Sequence, residues 1–274
     1  MRADLHVHSV YSDGLYTPDE ICFRAKLAGV ELISITDHDC MNGEEEKRAA
    51  AKKYGLKYLS GWEISAYEGL TKIHITGYNC QKGEPYKKFL KLRVDLSYER
   101  AKDSLEKLQK LGISVPLERV LDGMSDKSAP VHTMHLSRAV EKLTGIPFDK
   151  VYEQYLAPGK PAFSSLGRPT PKQAIECIHL SGGIASIAHP GRLTLNFLDR
   201  EKVIYRLKDL GVDGIETYYT THTNEETTYF TSLAKELSLL KTGGSDTHFE
   251  EQTHKIGFPV FYADEELLSR VKIF

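Results

Sequence analysis

The sequence predicts an α/β fold built from parallel βαβ units, namely a (β/α) barrel with an inserted, mainly helical subdomain. Short β-type runs alternate with helical patterns of about ten to fifteen residues, which is typical of parallel βαβ units. Metal-binding types of side chain follow the ends of these runs, where a (β/α) barrel has its active site. One long segment breaks the alternation, and we interpret it as an insertion.

Seven β-type runs and five intervening helices are predicted. The strands are Ala3–His8, Glu31–Thr36, Lys57–Ser65, Lys72–Tyr78, Gly183–Ala188, Asp213–Tyr218 and Leu239–Gly243. The helices are Pro18–Leu27, Glu44–Tyr54, Pro171–Leu180, Leu198–Leu210 and Glu225–Leu237. Thr17 and Thr170 each precede a proline, the usual pattern of an N-cap followed by proline in the first helical turn.

The segment 81–169 reads as helices without strands. The predicted helices are Tyr86–Leu111, Val131–Leu143 and Asp149–Leu156. The first of them carries charges of both signs, which indicates a solvated helix face rather than a binding patch. We therefore predict a barrel domain formed by residues 1–80 and 170–274, with a helical insertion at 81–169.

Composition restricts the class of protein. The length of 274 residues fits one large α/β domain with an insertion, and a net charge of −2 gives no basic surface for duplex DNA. The four cysteines form no C-x-x-C pair, as expected in a reducing cytoplasm. Because no apolar run approaches the roughly 18 residues of a membrane span, we expect a cytoplasmic protein without a membrane partner.

Nine side chains are candidate metal ligands. They are His6, His8, Asp13, His38, Glu63, His74, His189, Asp246 and His248. Nitrogen and oxygen donors without thiolate suit Mn²⁺, Zn²⁺ or Fe²⁺, and sequence alone does not choose among them. Nine ligands exceed the needs of one ion, so we predict two or three divalent ions.

Such a cluster suits hydrolysis of a phosphate ester. Neighbouring ions hold a hydroxide nucleophile that attacks phosphorus, and they stabilise the attacking and leaving oxygens. Because a carboxylate has two oxygens that can bridge ions, Glu63 and Asp246 are the expected bridging and catalytic groups. Asp37 is predicted to orient His38 rather than to act as a structural cap, and the pair Tyr218-Tyr219 is predicted to pack in the core.

The motifs DLHVHSVYSDG, ITDHD, GWEIS, HITGY, AHPGR and GGSDTH, in this order, resemble those of the PHP (polymerase and histidinol phosphatase) superfamily of metal-dependent phosphoesterases. The resemblance implies a distorted (β/α)₇ barrel with a trinuclear site. By carry-over, the three ligand sets are His6, His8, Glu63 and Asp246; Glu63, His74 and His189; and Asp13, His38 and His248.

The chain most resembles the stand-alone bacterial branch that includes nucleoside 3′,5′-bisphosphate phosphatases with exonuclease activity on short RNA. That resemblance implies Arg192 as a catalytic phosphate clamp and Lys160 and His135 as substrate contacts. Relatives carry an arginine where this chain has Thr133. We therefore expect reduced dependence on a second substrate phosphate, unless another cation replaces the missing arginine; Lys160 is the first candidate.

The predicted function is hydrolysis of a small phosphorylated metabolite, a nucleotide or sugar phosphate, with short RNA as a further candidate substrate. Because of Thr133, opening of a cyclic sugar phosphate is the alternative. A non-catalytic, metal-stabilised interaction module is a remote alternative, since a scaffold does not need nine ligands. A C–N hydrolase of the amidohydrolase type also uses His-x-His, but no strand supplies the expected carboxylated lysine.

Overall fold

The computed structural model describes residues 1–124, 130–193, 197–249 and 254–273. Over these residues the chain has a mixed α/β fold and forms two compact units, residues 1–86 with 170–274 and residues 87–169. No helix in the described residues is long and apolar enough to cross a membrane.

The first unit contains two sheets. Its strands are β1 (Arg2–Val7), β2 (Leu32–Ile35), β3 (Lys57–Tyr58), β4 (Gly61–Glu68), β5 (Thr71–Tyr78), β6 (Ile184–Ile187), β7 (Gly214–Tyr219), β8 (Leu240–Gly244) and β9 (Phe261–Tyr262). Their order is β3-β2-β1-β9 in one sheet and β4-β5-β6-β7-β8 in the other. Isolated bridges pair Val7 with Thr247 and His38 with Glu63, and no closed barrel is found among the described residues.

Helices follow most of the strands. In the first unit they are α1 (Pro18–Leu27), α2 (Glu44–Lys53), α7 (Pro171–Leu180), α8 (Phe197–Asp209), α9 (Asn224–Glu236) and α10 (Glu265–Arg270). The predicted caps are confirmed, because Thr17 and Thr170 each accept a hydrogen bond from the third residue of their helix. A short 3₁₀ turn, Pro190–Arg192, follows β6.

Most of α3 (Glu84–Lys110) and the helices after it form the second unit. These helices are α4 (Leu117–Leu121), α5 (Thr133–Thr144) and α6 (Phe148–Val151), which continues into a π-helical turn at Tyr152–Leu156. Their apolar faces meet in one core that includes Leu108, Val140 and Val151, each fully buried.

The prediction of parallel strands throughout is wrong for β4 and β5. They pair antiparallel over their full length, and β5 also pairs antiparallel with β6. Only two residues separate Glu68 from Thr71, far fewer than a parallel crossover needs, so the chain makes a hairpin. Gly69 permits the turn because its φ of 58° is open to glycine at little cost.

A buried ion pair joins α2 to the loop after β2. Lys47 is completely buried, and its Nζ contacts Asp37 and the carbonyl oxygen of Ile35. Asp37 also accepts hydrogen bonds from the Ser9 N–H at 2.7 Å and the Ser12 hydroxyl at 2.8 Å. Burial opposes ionisation of Asp37, but Lys47 and the hydrogen bonds from Ser9 together outweigh burial and hold the pKa of Asp37 below its usual value. Asp37 therefore anchors the Ser9–Ser12 turn rather than orienting His38, contrary to the prediction.

We expect Lys47→Met to lower the free energy of unfolding by roughly 3–5 kcal/mol, because it leaves the buried Asp37 carboxylate without its cation. Urea unfolding followed by circular dichroism measures this loss. The control is Lys52→Met, an exposed lysine on the same helix, which should change stability by less than about 0.5 kcal/mol. Equal stabilities of the two variants would contradict the structural role of this pair.

Candidate metal centre

The nine candidate ligands, here called the ligand cluster, come together in the first unit. His6 lies on β1, and His8 and Asp13 follow that strand; His38 follows β2, His189 follows β6, and Asp246 and His248 follow β8. Glu63 and His74 lie on the hairpin strands β4 and β5. Most candidate ligands thus lie at or after the carboxyl ends of the parallel strands. The remaining two, Glu63 and His74, lie on the hairpin.

Glu63 lies at the centre of the cluster and is completely buried. Its Oε1 is 2.7 Å from His74 Nδ1 and 2.9 Å from His189 Nε2. Its Oε2 is 2.9 Å from His38 Nδ1. The two oxygens therefore face different imidazoles, as expected of a carboxylate that bridges ions.

Asp246 is the second buried carboxylate. Its Oδ1 is 3.0 Å from His8 Nε2 and 3.5 Å from His6 Nε2. Its backbone has a φ of 51°, unusual for a residue other than glycine, and its N–H donates to the His6 carbonyl at 2.7 Å. Such strained backbone is typical of functional sites that the surrounding structure holds in place.

Asp13 lies at the rim, with a side chain that is 55% exposed. Its Oδ1 is 3.3 Å from His248 Nε2, and its Oδ2 is 3.7 Å from His38 Nε2. At the rim, the Asp13 carboxylate therefore lies close to two histidines of the cluster, His38 and His248.

Three overlapping groups of side chains have ligand atoms within 4.8 Å of one another. They are His6, His8, Glu63 and Asp246; His38, Glu63 and His74; and His8, Asp13, His38 and His248. The first group is the set that the family resemblance implies. The second has His38 in place of His189, and the third adds His8. The role of these residues as metal ligands stays a prediction.

Unsatisfied buried atoms support the fit of cations to this cluster. Within the described part of the chain, six buried nitrogen or oxygen atoms of the cluster make no hydrogen bond: His6 Nε2, both ring nitrogens of His8, His38 Nδ1, Glu63 Oε2 and Asp246 Oδ1. Buried polar atoms without partners are costly and rare. Coordination to divalent cations would satisfy these nitrogen and oxygen atoms apart from one ring nitrogen of His8, because a neutral imidazole has a single unprotonated nitrogen.

The buried carboxylates of the cluster are held ionised, whereas the pKa values of its histidines shift in both directions. Burial lowers the pKa of His6, His38 and His248, but neighbouring carboxylates outweigh burial and raise it. Burial lowers the pKa of His74 to about 4 and also lowers that of His8, so both are neutral near pH 7 and free to coordinate. Burial raises the pKa of Glu63, but His74, His6 and His38 outweigh it and hold that pKa well below its usual value. Burial lowers the pKa of His38, but Glu63 outweighs burial and raises it to about 9. The negative charge of Glu63, which raises the pKa of His38, also attracts a divalent cation.

Two further side chains hold the cluster through contacts that were not predicted from the sequence. Glu216 on β7 is buried, lies 3.2 Å from His6 Nδ1 and accepts the His189 N–H at 2.6 Å. It orients both histidines, as carboxylates beyond the ligands commonly do. Tyr219 is buried as predicted, and its hydroxyl also donates to Asp246 Oδ2 at 2.9 Å. A glutamate within the apolar run Gly214–Tyr219 is the signal that could have identified Glu216.

A cavity of about 290 Å³ opens onto the cluster. The residues lining this metal-site cavity are His38, Glu63, Lys72, His74, His189, Arg192, Leu193, Asp246 and His248. Arg192 Nη1 donates to the Tyr219 hydroxyl at 2.9 Å and to Asp246 Oδ2 at 3.3 Å. The structure thus brings Arg192 to the cluster, as predicted from its position beside His189.

The other two predicted substrate contacts belong to the second unit. Lys160 follows the π-helical turn, and His135 lies in the first turn of α5. His135 Nδ1 accepts the backbone N–H of His132 at 3.1 Å. The part that these two residues take in substrate binding stays a prediction.

Comparison with known proteins identifies a family and several relatives. Residues 4–118 match the PHP domain family. The chain is 35% identical to a 5′-3′ exoribonuclease of Haemophilus influenzae, with 90% of each protein covered. It is 32% identical to a 3′,5′-nucleoside bisphosphate phosphatase of Chromobacterium violaceum, covering 89% of this chain and 86% of the relative.

A third relative and a solved structure extend the comparison. The chain is 30% identical to a phosphoribosyl 1,2-cyclic phosphate 1,2-diphosphodiesterase of Eggerthella lenta, over 95% of this chain and 99% of the relative. Its fold is similar to that of a Chromobacterium violaceum amidohydrolase solved with bound sulfate and no metal. The TM-score is 0.73 at 29% identity, with 98% of this chain and 97% of that chain covered.

We expect Glu63→Gln to weaken Mn²⁺ binding by at least about tenfold, because a neutral amide is a poor bridge between cations. The overall fold should persist, since the apolar cores do not depend on this side chain. Calorimetric titration with Mn²⁺ measures the affinity, and far-ultraviolet circular dichroism measures the fold. Glu68→Gln, on the same strand and 40% exposed, is the control. Unchanged Mn²⁺ affinity in Glu63→Gln would contradict a bridging role.

Proposed function

This chain belongs to the PHP family of metal-dependent phosphoesterases, and we propose that it hydrolyses a small phosphorylated metabolite, a nucleoside 3′,5′-bisphosphate or a related nucleotide phosphate. The observation that carries the proposal is the set of six unsatisfied buried nitrogen and oxygen atoms in three overlapping ligand groups, next to a cavity that Arg192 also lines. An interaction module has no need of such a cavity.

Two or three divalent cations, Mn²⁺, Zn²⁺ or Fe²⁺, are proposed for the three ligand groups. When bound, such cations supply Lewis-acid stabilisation of a phosphoryl group and acidify water. His8, His38 and Glu63 each belong to two of the groups. Of these, only Glu63 has two carboxylate oxygens, so it is the residue that would hold two neighbouring cations. Glu216 supports this arrangement by fixing the ring of His6 and the backbone of His189.

Arg192 is proposed to bind the phosphate whose ester bond is cleaved. Its side chain is 56% exposed, unlike the buried ligands, and within the described residues only Nη1 is engaged. The remaining N–H groups of the guanidinium are free to donate to phosphate oxygens in the cavity. Burial raises the pKa of Tyr219, and the neighbouring Asp246 raises it further. The Tyr219 hydroxyl therefore stays protonated and continues to hold Asp246.

The substrate proposal rests on the relatives together with the cavity. A bisphosphate phosphatase and an exoribonuclease both act on an ester of a nucleotide, and both are at least 32% identical to this chain over most of their lengths. Cyclic phosphodiester hydrolysis is the second candidate. The nearly full-length similarity to the cyclic phosphodiesterase and the presence of Thr133 favour it.

We also assign the two sheets of the first unit to the distorted (β/α)₇ barrel of this family. The two isolated bridges, Val7 with Thr247 and His38 with Glu63, support the assignment because each links the four-stranded sheet, or the loop after one of its strands, to the five-stranded sheet or the loop after β8. The helical unit, residues 87–169, is proposed to be the inserted subdomain, with Lys160 and His135 as its contributions to substrate binding.

The test is a phosphate-release panel with protein reconstituted with Mn²⁺, Zn²⁺ or Fe²⁺. The substrates are a nucleoside 3′,5′-bisphosphate, nucleoside monophosphates, short RNA, a sugar phosphate and a cyclic sugar phosphate. We expect metal-dependent release from the bisphosphate and none after chelation or in Glu63→Gln. No metal-dependent hydrolysis of any phosphate ester would contradict the proposed function, and hydrolysis of the cyclic sugar phosphate alone would favour the second candidate.

Arg192→Ala should lower kcat/KM by an amount equivalent to about 2–4 kcal/mol, as expected when a positioned cation no longer stabilises the phosphoryl group. Metal content should stay at the wild-type level, because Asp246 keeps the hydrogen bond from Tyr219. Steady-state kinetics and elemental analysis of the same preparations test both statements. The control is Arg206→Ala, an exposed arginine paired with Glu68 away from the cavity. A decrease in metal content that accounts for the lost activity would contradict a direct role in phosphate binding.

A further inference from the structure

Besides Arg192, a second positively charged side chain, Lys72, lines the metal-site cavity. Lys72 is not a member of the ligand cluster. Lys72 lies on β5, two residues before His74, so the two side chains point to the same face of the hairpin. In the antiparallel register Lys72 pairs with Tyr67 and His74 pairs with Ser65. Lys72 therefore lies two residues closer to the hairpin turn than His74, a distance of roughly 6.6 Å along the strand.

Lys72 and Arg192 differ in how their charges are engaged. Arg192 is hydrogen-bonded to Asp246 and Tyr219. Lys72 is exposed, and in the described part of the chain it has neither an ion pair nor a hydrogen bond. The carboxylates that line the cavity with it, Glu63 and Asp246, are buried and surrounded by histidines. The positive charge of Lys72 is thus available to an anion in the cavity.

We infer that Lys72 binds a second anionic group of the substrate, the phosphate that is not cleaved, while the cleaved phosphate lies at the ligand cluster and Arg192. This inference rests on the proposed function and adds a determinant of substrate choice. Lys72 would bind the second phosphate, the role left without a residue because Thr133 stands where relatives carry an arginine. Lys72 is then a replacing cation within the first unit, in addition to the proposed contribution of Lys160.

The chemistry of lysine determines what this contact does. An ammonium group on a flexible stem acts as a point charge and imposes no fixed geometry on a phosphate. A contact to a group that does not react stabilises the bound substrate and the transition state equally, so it changes KM rather than kcat. Because the site is exposed, added salt should weaken the contact.

The test compares Lys72→Met with wild type on two substrates, a nucleoside 3′,5′-bisphosphate and the monophosphate that keeps the cleaved group. We expect Lys72→Met to lower kcat/KM for the bisphosphate by about tenfold to a hundredfold, through KM, as expected when a hydrogen bond to a charged group is lost. The monophosphate should change by less than about twofold. Lys72→Arg should restore the bisphosphate preference, and Lys52→Met, an exposed lysine on α2, should behave as wild type.

Equal effects on both substrates, or no effect on either, would overturn the role of Lys72. Calorimetric binding of the two nucleotides to the Mn²⁺-loaded proteins tests the same comparison without turnover. If wild type hydrolyses neither nucleotide but Lys72→Met weakens binding of the bisphosphate alone, the proposed function fails and the anion contact stands. If wild type binds both nucleotides equally well and Lys72→Met changes neither affinity, the contact fails whatever the activity.

Discussion

The burial of the Glu63 carboxylate is the constraint on which the site depends. A buried carboxylate is tolerated only where positive or hydrogen-bonding groups compensate it, and here the compensating groups are histidines from several strands. His38 follows β2, His74 lies on the hairpin strand β5, and His189 follows β6. Because its two oxygens face different histidines, this one side chain lies at the centre of the ligand groups.

Three other buried carboxylates hold the backbone that carries the ligands. Asp37 accepts the N–H of Ser9 in the turn that leads to Asp13. Asp4 accepts the N–H of Ser245, next to Asp246, at 2.9 Å, and Glu216 accepts the N–H of His189. None of the three belongs to the ligand groups of the described residues. The candidate ligands are therefore fixed by hydrogen bonds from outside the cluster, so their positions do not depend only on contacts among themselves.

The sequence predicted nine side chains that the structure brings together, and seven of them lie at or just after the carboxyl ends of strands, where such motifs are expected to meet. The other two, Glu63 and His74, lie within the hairpin strands. The role of all nine as metal ligands stays a prediction. The sequence also predicted the alternation of strands and helices. The β4–β5 hairpin was missed because β4 continues beyond the predicted end at Ser65 to Glu68 and β5 begins at Thr71, which leaves a turn of only two residues. Lys47 resembles a solvated residue of a charged helix, and only the tertiary contact with Asp37 explains its burial. Lys72 lines the cavity because of the register of the hairpin, and no local sequence pattern specifies that register.

The most direct test of the account is the number and position of metal ions in a crystal of the metal-loaded protein, located by anomalous scattering at the absorption edge of the metal. The three overlapping ligand groups predict two or three ions, with Glu63 contacting at least two of them. A single well-occupied ion, or ions that do not contact Glu63, would contradict the claim that this buried carboxylate organises a multinuclear phosphoesterase site.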